Sequence, residues 1–185
     1  CAGPKALVDL AGAPLLVRTL ERFADLDLIP GAIITVPASF QGQFAQALAA
    51  AFPETRFCLA PGGAERQASV AAGLEMLDAD TEVVVIHDAA RPFVEMKAVR
   101  DSIRAAAEYG AATVAIPVSD TILQGNEEAF LESTPDRRLL WACQTPQTFQ
   151  APAIIQAHRE AAQQGFLGTD DASLVRRAGG RVKLV

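Results

Sequence analysis

The sequence lacks the cysteine pairs and the long apolar runs that mark several classes of protein. Its three cysteines, Cys1, Cys58 and Cys143, are far apart and form no CxxC pair, which argues against a disulfide framework and against a zinc site. This use of cysteine is typical of the reducing cytoplasm, where we expect the protein to work. No apolar run approaches the roughly 20 residues that cross a bilayer, so we expect no membrane contact.

The sequence also has no excess of basic over acidic residues. The chain has 16 Lys and Arg against 22 Asp and Glu, which gives a formal net charge of −6. A protein that binds the nucleic-acid backbone in general needs a net basic face, so this class is excluded. Local basic sites remain compatible with the composition.

The composition is that of a folded domain with a sizeable core. Half of the 185 residues are hydrophobic and 21% are charged. At roughly 100–200 residues per domain, this length predicts a single domain over residues 1–185. The chain opens with Cys1 instead of Met, from which we expect it to start inside a longer gene product.

Helical and extended patterns alternate along the chain. Leu16, Leu20 and Phe23 recur at helical spacing, whereas residues 82–87 form a short apolar run that ends at His87 and Asp88. Strands that alternate with helices predict an α/β fold with a mostly parallel sheet covered on both faces. The first predicted helix starts at Pro14, and further helices are predicted over about 40–52, 65–77, 96–110, 152–164 and 171–178. The predicted strands cover 32–36, 56–59, 82–87, 113–116 and a last segment from Arg181.

Residues 119–143 interrupt this alternation with polar, irregular sequence. Gly125-Asn126 marks one turn and Pro135-Asp136 lies near another. We interpret the segment as an excursion from the sheet, a hairpin arm that is used in pairing subunits.

Two glycine-containing clusters are candidates for phosphate or nucleotide binding. Lys5 follows a Gly-Pro turn and is suited to place an ammonium over phosphates, although a solvated lysine near a terminus is the ordinary alternative. The paired glycines Gly62 and Gly63 precede a helix start, and Arg66 with Ser69 adds donors of two kinds. This combination suits a nucleotide, and a plain strand-to-helix turn has the same features.

The segment HDAARP, residues 87–92, follows a predicted buried strand. An aspartate such as Asp88 at a strand end is a common magnesium ligand, and Arg91 is placed to neutralise a phosphate that the metal also touches. The alternative is an internal ion pair between Asp88 and Arg91 that fixes the loop. We expect His87 to support the loop by a hydrogen bond, because an anionic nucleophile needs no general base.

A fourth, scattered set of hydroxyls and charges suits a phosphomonoester and a polyol. Each member also has an ordinary explanation: Thr169 as a helix cap, with Asp170 and Asp171 favourable to the helix dipole, and Arg137 as a solvated side chain. The set consists of Asp120, Thr121, Arg137 and residues 144–147 and 169–171.

Seven short blocks, in this order, resemble the 2-C-methyl-D-erythritol 4-phosphate cytidylyltransferases, a family of the non-mevalonate isoprenoid pathway. HDAARP followed by QTPQ is highly specific, and the resemblance covers essentially the whole chain. The blocks are PKAL (4–7), GGAERQASV (62–70), HDAARP (87–92), PVSDTI (117–122), TPDR (134–137), QTPQTF (144–149) and TDDASLV (169–175).

The resemblance implies a fold and a reaction. The fold is a three-layer αβα nucleotidyltransferase sandwich, Rossmann-like, with a mixed, mostly parallel sheet and a protruding arm, about 119–143, that completes a homodimer. In the reaction, the phosphate of methylerythritol phosphate attacks the α-phosphorus of CTP and gives the CDP-alcohol and pyrophosphate. The implied cofactor is Mg²⁺, and the implied partners are CTP and a polyol phosphate.

The resemblance also implies roles for individual residues. Lys5 resembles the catalytic lysine that offsets charge on the α-phosphate, and Arg137, also catalytic, would reach the partner subunit's site from the arm together with Thr145. The implied nucleotide-binding residues are Gly62, Gly63, Arg66, Ser69 and Asp88, the implied substrate-binding residues are Asp88, Arg91, Thr121, Arg137, Thr145 and Thr169, and the implied metal ligand is Asp88.

The sequence departs from the family pattern at its ends and in one loop. Family members begin with a strand and a glycine-rich loop and continue past Val185, so we expect the sequence to be part of a longer polypeptide. Ala64 and Ala68 stand where acidic residues often occur, which bears on cytosine recognition. Three alternatives stay open: a ribitol-5-phosphate cytidylyltransferase, a catalytically silent nucleotide-binding module, and the front half of a bifunctional polypeptide.

Overall fold

The computed structural model of the chain describes residues 3–24, 31–55 and 57–185. Within these ranges the protein is a mixed α/β domain, as the sequence predicts, and none of their helices is long and apolar enough to cross a membrane. The strands are β1 (Asp9–Leu10), β2 (Ala13–Pro14), β3 (Ile33–Val36), β4 (Cys58–Pro61), β5 (Val83–Ile86), β6 (Ala111–Pro117), β7 (Gln124–Gly125), β8 (Leu131–Ser133), β9 (Trp141–Gln150) and β10 (Lys183–Leu184). The helices are α1 (Leu15–Ala24), α2 (Gln41–Ala51), α3 (Arg66–Leu74), α4 (Met96–Tyr109), α5 (Ala151–Gln163) and α6 (Asp171–Arg177).

The largest sheet has four strands in the order β10-β6-β9-β5. β10 and β6 are parallel, whereas β9 runs antiparallel to both of its neighbours, with Val84 opposite Phe149 and Ala111 opposite Phe149 on the other side. The sheet is therefore mixed, and because two of its three strand pairings are antiparallel, the prediction of a mostly parallel sheet is wrong for it. A separate parallel pair, β3 and β4, aligns Ile33 with Cys58 and Val36 with Pro61.

Helices cover both faces of the four-stranded sheet. Phe149 of β9 is fully buried in a cluster with Ile154 of α5 and Leu174 of α6. Its neighbour Thr148 points to the opposite face, where its hydroxyl lies 2.8 Å from the hydroxyl of Ser102 on α4. Successive residues of β9 thus contact helices on opposite faces of the sheet, because side chains alternate between the two faces along a strand.

A second apolar cluster joins the β3–β4 pair to α1 and α2. It contains Leu16, Val36, Phe44 and Leu48 and is contacted by Ala6, Leu7 and Ala89, which lie beside two of the candidate site residues. The helices form where the apolar spacing predicts them, and Gly110, at φ 92°, ends α4 in a conformation that favours glycine.

The structure corrects several of the predicted elements: β1 and β2 were not predicted, and Pro14 belongs to β2 instead of opening α1. Strand β9 was not predicted, and its first residues, Trp141 to Cys143, belong to the sheet and not to the arm. Helix α3 ends at Leu74 instead of Leu77, and β4 covers Cys58–Pro61 instead of 56–59. Residues Cys1 and Arg56, which the sequence interpretation used, lie outside the described residues.

The remainder of the arm contains the predicted hairpin. β7 and β8 pair antiparallel, and the turn between them starts at Asn126, whose Oδ1 accepts hydrogen bonds from the backbone N–H groups of Glu128 and Phe130. Asp136 caps the following 3-10 turn, Arg137–Leu139, by accepting a hydrogen bond from Arg138 N. Both turns lie where Gly125-Asn126 and Pro135-Asp136 predict them.

Candidate active site

Asp88 lies just beyond the carboxyl end of β5, between two guanidinium groups. Arg91 Nε donates a hydrogen bond of 2.8 Å to Asp88 Oδ2, and Arg66 Nε lies 3.6 Å from Asp88 Oδ1. The backbone N–H of Asp88 donates to Thr145 Oγ1 at 3.3 Å. The Asp88–Arg91 ion pair considered as an alternative is therefore present, and it forms part of a larger charged cluster.

The same loop orients Arg91 and His87. Arg91 Nη1 donates a hydrogen bond to Gln144 Oε1, which ties the guanidinium to β9. His87 Nε2 lies 3.1 Å from the carbonyl oxygen of Arg91. Burial lowers the pKa of His87, so the neutral ring donates from Nε2–H to that carbonyl. The expected hydrogen bond from His87 to its loop is confirmed.

The Gly62-Gly63 loop closes on Ser69. Gly62 N donates to the carbonyl of Val36 at 2.7 Å, and Ser69 Oγ accepts from Gly63 N at 3.0 Å while donating to the carbonyl of Glu65. A Cβ added to Gly63 would lie 2.4 Å from the Cβ of Ala68, a separation that side chains do not tolerate. The loop conformation therefore depends on glycine at position 63.

Arg66, the first residue of α3, connects this loop to α6. Its Nη1 donates a hydrogen bond of 2.6 Å to Oδ2 of Asp171, a side chain that is 1% exposed. Partial burial acts to lower the pKa of Arg66, but the carboxylates of Asp171 and then Asp88 outweigh it, and the pKa is raised above its usual value. Arg66 is thus shared between two carboxylates.

The N-terminus of α6 is built around buried Gln147 of β9. Its Oε1 accepts hydrogen bonds from the backbone N–H groups of Asp171 and Ala172, and its Nε2 donates to Asp170 Oδ2 at 2.7 Å. Asp170 caps α6 by accepting from Ser173 N at 2.9 Å, so the cap is Asp170 and not Thr169. Burial acts to raise the pKa of Asp170, but these hydrogen bonds outweigh it and hold the pKa below its usual range.

The remaining candidates lie on exposed segments. Lys5 is in a 3-10 turn, Lys5–Leu7, and Arg137 donates to the carbonyl of Ser119 at 2.8 Å within the arm. Among the described residues, no hydrogen bond or ion pair joins Lys5, Thr121 or Arg137 to the cluster around Asp88. Thr145 was expected to act from the arm, but it lies in β9 and contacts Asp88 of its own chain.

Three of the loops nevertheless converge on one apolar cluster, the one around Val36. Ala6, next to Lys5, and Ala89, next to Asp88, both pack against it, and Gly62 is hydrogen-bonded to Val36 itself. Thr19 of α1 adds a hydrogen bond of 2.8 Å to the carbonyl of Ala89. The apolar cluster around Val36 thus contacts the segments that carry Lys5, the two glycines and the Asp88–Arg91 pair.

Sequence reasoning missed one residue that contacts the charged cluster. His158 of α5 is buried, and its Nε2 lies 3.0 Å from Asp171 Oδ1. A lone histidine within an amphipathic helix gives no local signal of such a contact. Gln147 and Asp171 were noted as polar residues, but their contacts depend on β9, which was not predicted.

An α/β domain with a glycine loop and an aspartate–arginine cluster at a strand end has the features of a nucleotidyltransferase. The family model described as 2-C-methyl-D-erythritol 4-phosphate cytidylyltransferase matches residues 2–185. The chain therefore belongs to this family, and it is a cytidylyltransferase.

Individual relatives agree with this assignment. The protein of that name from Caldanaerobacter subterraneus subsp. tengcongensis is 43% identical over 183 residues, which are 98% of this chain and 80% of the relative. The one from Geobacillus kaustophilus is 45% identical over 181 residues, 98% of this chain and 78% of the relative. The crystal structure of the Thermus thermophilus protein is similar with a TM-score of 0.79 and 34% identity, covering 100% of this chain and 84% of that one.

Proposed function

We propose that the cluster around Asp88 is where the chain carries out its family's reaction, the transfer of CMP from CTP to the phosphate of 2-C-methyl-D-erythritol 4-phosphate. Family membership supports this reaction and this acceptor over ribitol 5-phosphate. The observation that carries the location is the position of Asp88 between Arg66 and Arg91, beyond the end of β5 and beside the glycine loop. Open α/β sheets bind ligands at such strand ends.

Charge compensation is the main catalytic task in this reaction. Two phosphates must approach within bonding distance, and each uncompensated pair of like charges at about 4 Å opposes this by ~4 kcal/mol at an effective dielectric near 20. Lys5 offsets charge on the α-phosphate, and Arg91 offsets charge on the acceptor phosphate. The acceptor oxygen is already anionic, so it attacks phosphorus without loss of a proton, and pyrophosphate leaves.

The nucleotide lies against the loop formed by Gly62 and Gly63, with Arg66, Ser69 and Asp88 around it. The two glycines let the loop pack closely on its own support, since a Cβ at Gly63 would meet Ala68 and a Cβ at Gly62 would meet Ser69 Oγ. Ser69 holds the loop through Gly63 N, and this contact supports a role in shaping the base pocket. The acceptor contacts Arg91, Thr121, Thr145 and Thr169, with Arg137 supplied by the arm of a second subunit.

Asp88 fits the magnesium ion that we propose as cofactor. Its side chain is partly exposed, and Oδ1 is 3.6 Å from Arg66 Nε, beyond hydrogen-bonding distance, which leaves a lone pair for a metal. Among the described residues, no group of three His, Cys, Asp or Glu side chains is arranged to hold a metal. Magnesium in phosphoryl-transfer sites is usually held by one or two carboxylates plus substrate phosphates, where it neutralises phosphate charge.

A homodimer of αβα domains joined through the arm completes the proposal. Large apolar side chains on the arm are exposed, with Phe130 at 68% and Leu139 at 78%. Several large apolar side chains exposed on one short segment, with Leu131 at 63% beside Phe130, favour a protein interface. A second copy of the chain would cover it and bring Arg137 to the neighbouring site.

Gly63→Ala is expected to weaken both the fold and the binding of CTP. The new Cβ would meet Ala68 on α3, so the loop must shift and the Gly63–Ser69 hydrogen bond must lengthen. We expect the free energy of unfolding to fall by about 1–3 kcal/mol and KM for CTP to rise. Urea unfolding and initial rates measure the two effects.

Gly42→Ala on α2 is the matched control, because a Cβ there meets nothing within 4 Å. It should raise the free energy of unfolding by about 1 kcal/mol and leave KM for CTP unchanged. Equal behaviour of the two variants would contradict the proposed use of the loop.

The reaction itself is tested by pyrophosphate release in the presence of magnesium and CTP. We expect release with 2-C-methyl-D-erythritol 4-phosphate and little with ribitol 5-phosphate, and mass spectrometry should identify the CDP-alcohol. Turnover with ribitol 5-phosphate instead would overturn the proposed acceptor. Binding of CTP without any product would favour a catalytically silent module.

A further inference from the structure

A line of charged side chains extends from Asp88 into the interior of the domain. Arg66 lies between two carboxylates, 3.6 Å from Asp88 Oδ1 through Nε and 2.6 Å from Asp171 Oδ2 through Nη1. Asp88 is partly exposed at the strand end, whereas Asp171 is 1% exposed. The exposed end of this line is the proposed reaction site, and the buried end is on α6.

Asp171 is held on several sides. Its other oxygen, Oδ1, lies 3.0 Å from His158 Nε2 on α5, and its backbone N–H donates to Gln147 Oε1 on β9. It is the first residue of α6, where a negative charge is favourable to the helix dipole. These contacts come from three elements, so the carboxylate is fixed in position and direction.

Arg66 depends on that fixed carboxylate for its own direction. An arginine side chain has many rotamers, and the Asp88 contact alone, at 3.6 Å, is longer than a hydrogen bond. The short contact to Asp171 is therefore the one that sets where the guanidinium points. A guanidinium that is already oriented adds no reorganisation cost when charge develops nearby.

We propose that Asp171 is a positioning residue, which holds the guanidinium of Arg66 against Asp88 so that both are oriented toward the metal–phosphate end of the substrates. This inference rests on the proposed function of the Asp88 cluster. Asp171 does not touch substrate in this account and acts only through Arg66. The competing explanation is that Asp171 simply joins α6 to α5 through His158 and matters for stability alone.

A double-mutant cycle separates the two explanations. Asp171→Asn, Arg66→Ala and the double variant are compared with the unmodified protein for kcat, KM for CTP and melting temperature. We expect Asp171→Asn to lower kcat/KM about tenfold where Arg66 is present, by analogy with residues that orient ligands. With alanine at position 66, we expect the same change to have little further effect on kcat/KM, because the two residues act as one unit.

Thr148→Val is the matched control for loss of stability. It removes the buried hydrogen bond between Thr148 and Ser102 on the other face of β9 and leaves Arg66 untouched. We expect it to lower the melting temperature with kcat and KM unchanged. If Asp171→Asn behaves like this control, or if it lowers kcat/KM equally with and without Arg66, the inference is overturned.

A readout without turnover keeps this test independent of the proposed reaction. The NMR resonance of Arg66 Nε–H reports the environment of the guanidinium, and we expect it to shift or broaden in Asp171→Asn and to stay in place in Thr148→Val. An unmodified protein that makes no CDP-alcohol would refute the proposed function. An unchanged Arg66 resonance in Asp171→Asn would refute the positioning role, with or without activity.

Discussion

Lys5→Ala is expected to lower kcat by about 100- to 1,000-fold while KM for CTP changes only a few-fold. Removal of one donor aimed at developing charge in a transition state has an effect of about this size. In the proposed mechanism the charge on the α-phosphate grows as the acceptor oxygen attacks, so we expect the ammonium to contribute more to the transition state than to the bound substrate. The position of Lys5 is consistent with this role. The adjacent Ala6 packs against the apolar cluster around Val36, and Ala89, next to Asp88, packs against the same cluster.

Steady-state rates of pyrophosphate release, measured at saturating methylerythritol phosphate, give kcat and KM for this variant. Lys97→Ala is the control, since Lys97 is an exposed lysine on α4 that pairs with Asp101. It should retain full activity. A Lys5→Ala protein with normal kcat and a greatly raised KM would show that Lys5 only binds the nucleotide.

The alternation of strands and helices could be predicted from the sequence because it depends on local apolar spacing. Leu16, Leu20 and Phe23 predict α1, and Met96 and Val99 predict α4, since each helix buries one face. Strand β9 could not be predicted in the same way. Its buried residues include Gln147 and Thr148, polar side chains with hydrogen-bond partners distant in sequence, Asp170 and Ser102.

In the candidate site, too, a contact between residues close in sequence could be predicted, and a contact between residues far apart in sequence could not. Asp88 and Arg91 are three residues apart, and their ion pair is readable from one loop. Arg66 and Asp171 are 105 residues apart, and their contact requires α3 and α6 to be packed in place. The individual site candidates could therefore be identified from the sequence, whereas the sharing of Arg66 between two carboxylates could not.

Arg137→Ala and Lys5→Ala are each expected to be nearly inactive, and heterodimers of the two variants should recover about half of the normal activity. In such a heterodimer one site combines an intact Lys5 with an intact Arg137 from the partner's arm, and the other site lacks both. Within its own chain, Arg137 contacts the carbonyl of Ser119 and has no contact with the Asp88 cluster among the described residues. The proposed shared site therefore needs Arg137 to act from the partner subunit, and the heterodimer tests that proposal.

Co-expression with two different affinity tags and purification through both isolates the heterodimers for rate measurements. Arg138→Ala is the matched arm control, because Arg138 pairs with Asp136 in its own turn at 2.7 Å, and this variant should be active by itself. If Arg137 served its own subunit, neither site of the heterodimer would be complete, and activity would stay near zero. That result would also remove the reason for assigning the arm to catalysis, since the exposed Phe130 and Leu139 would then serve association alone.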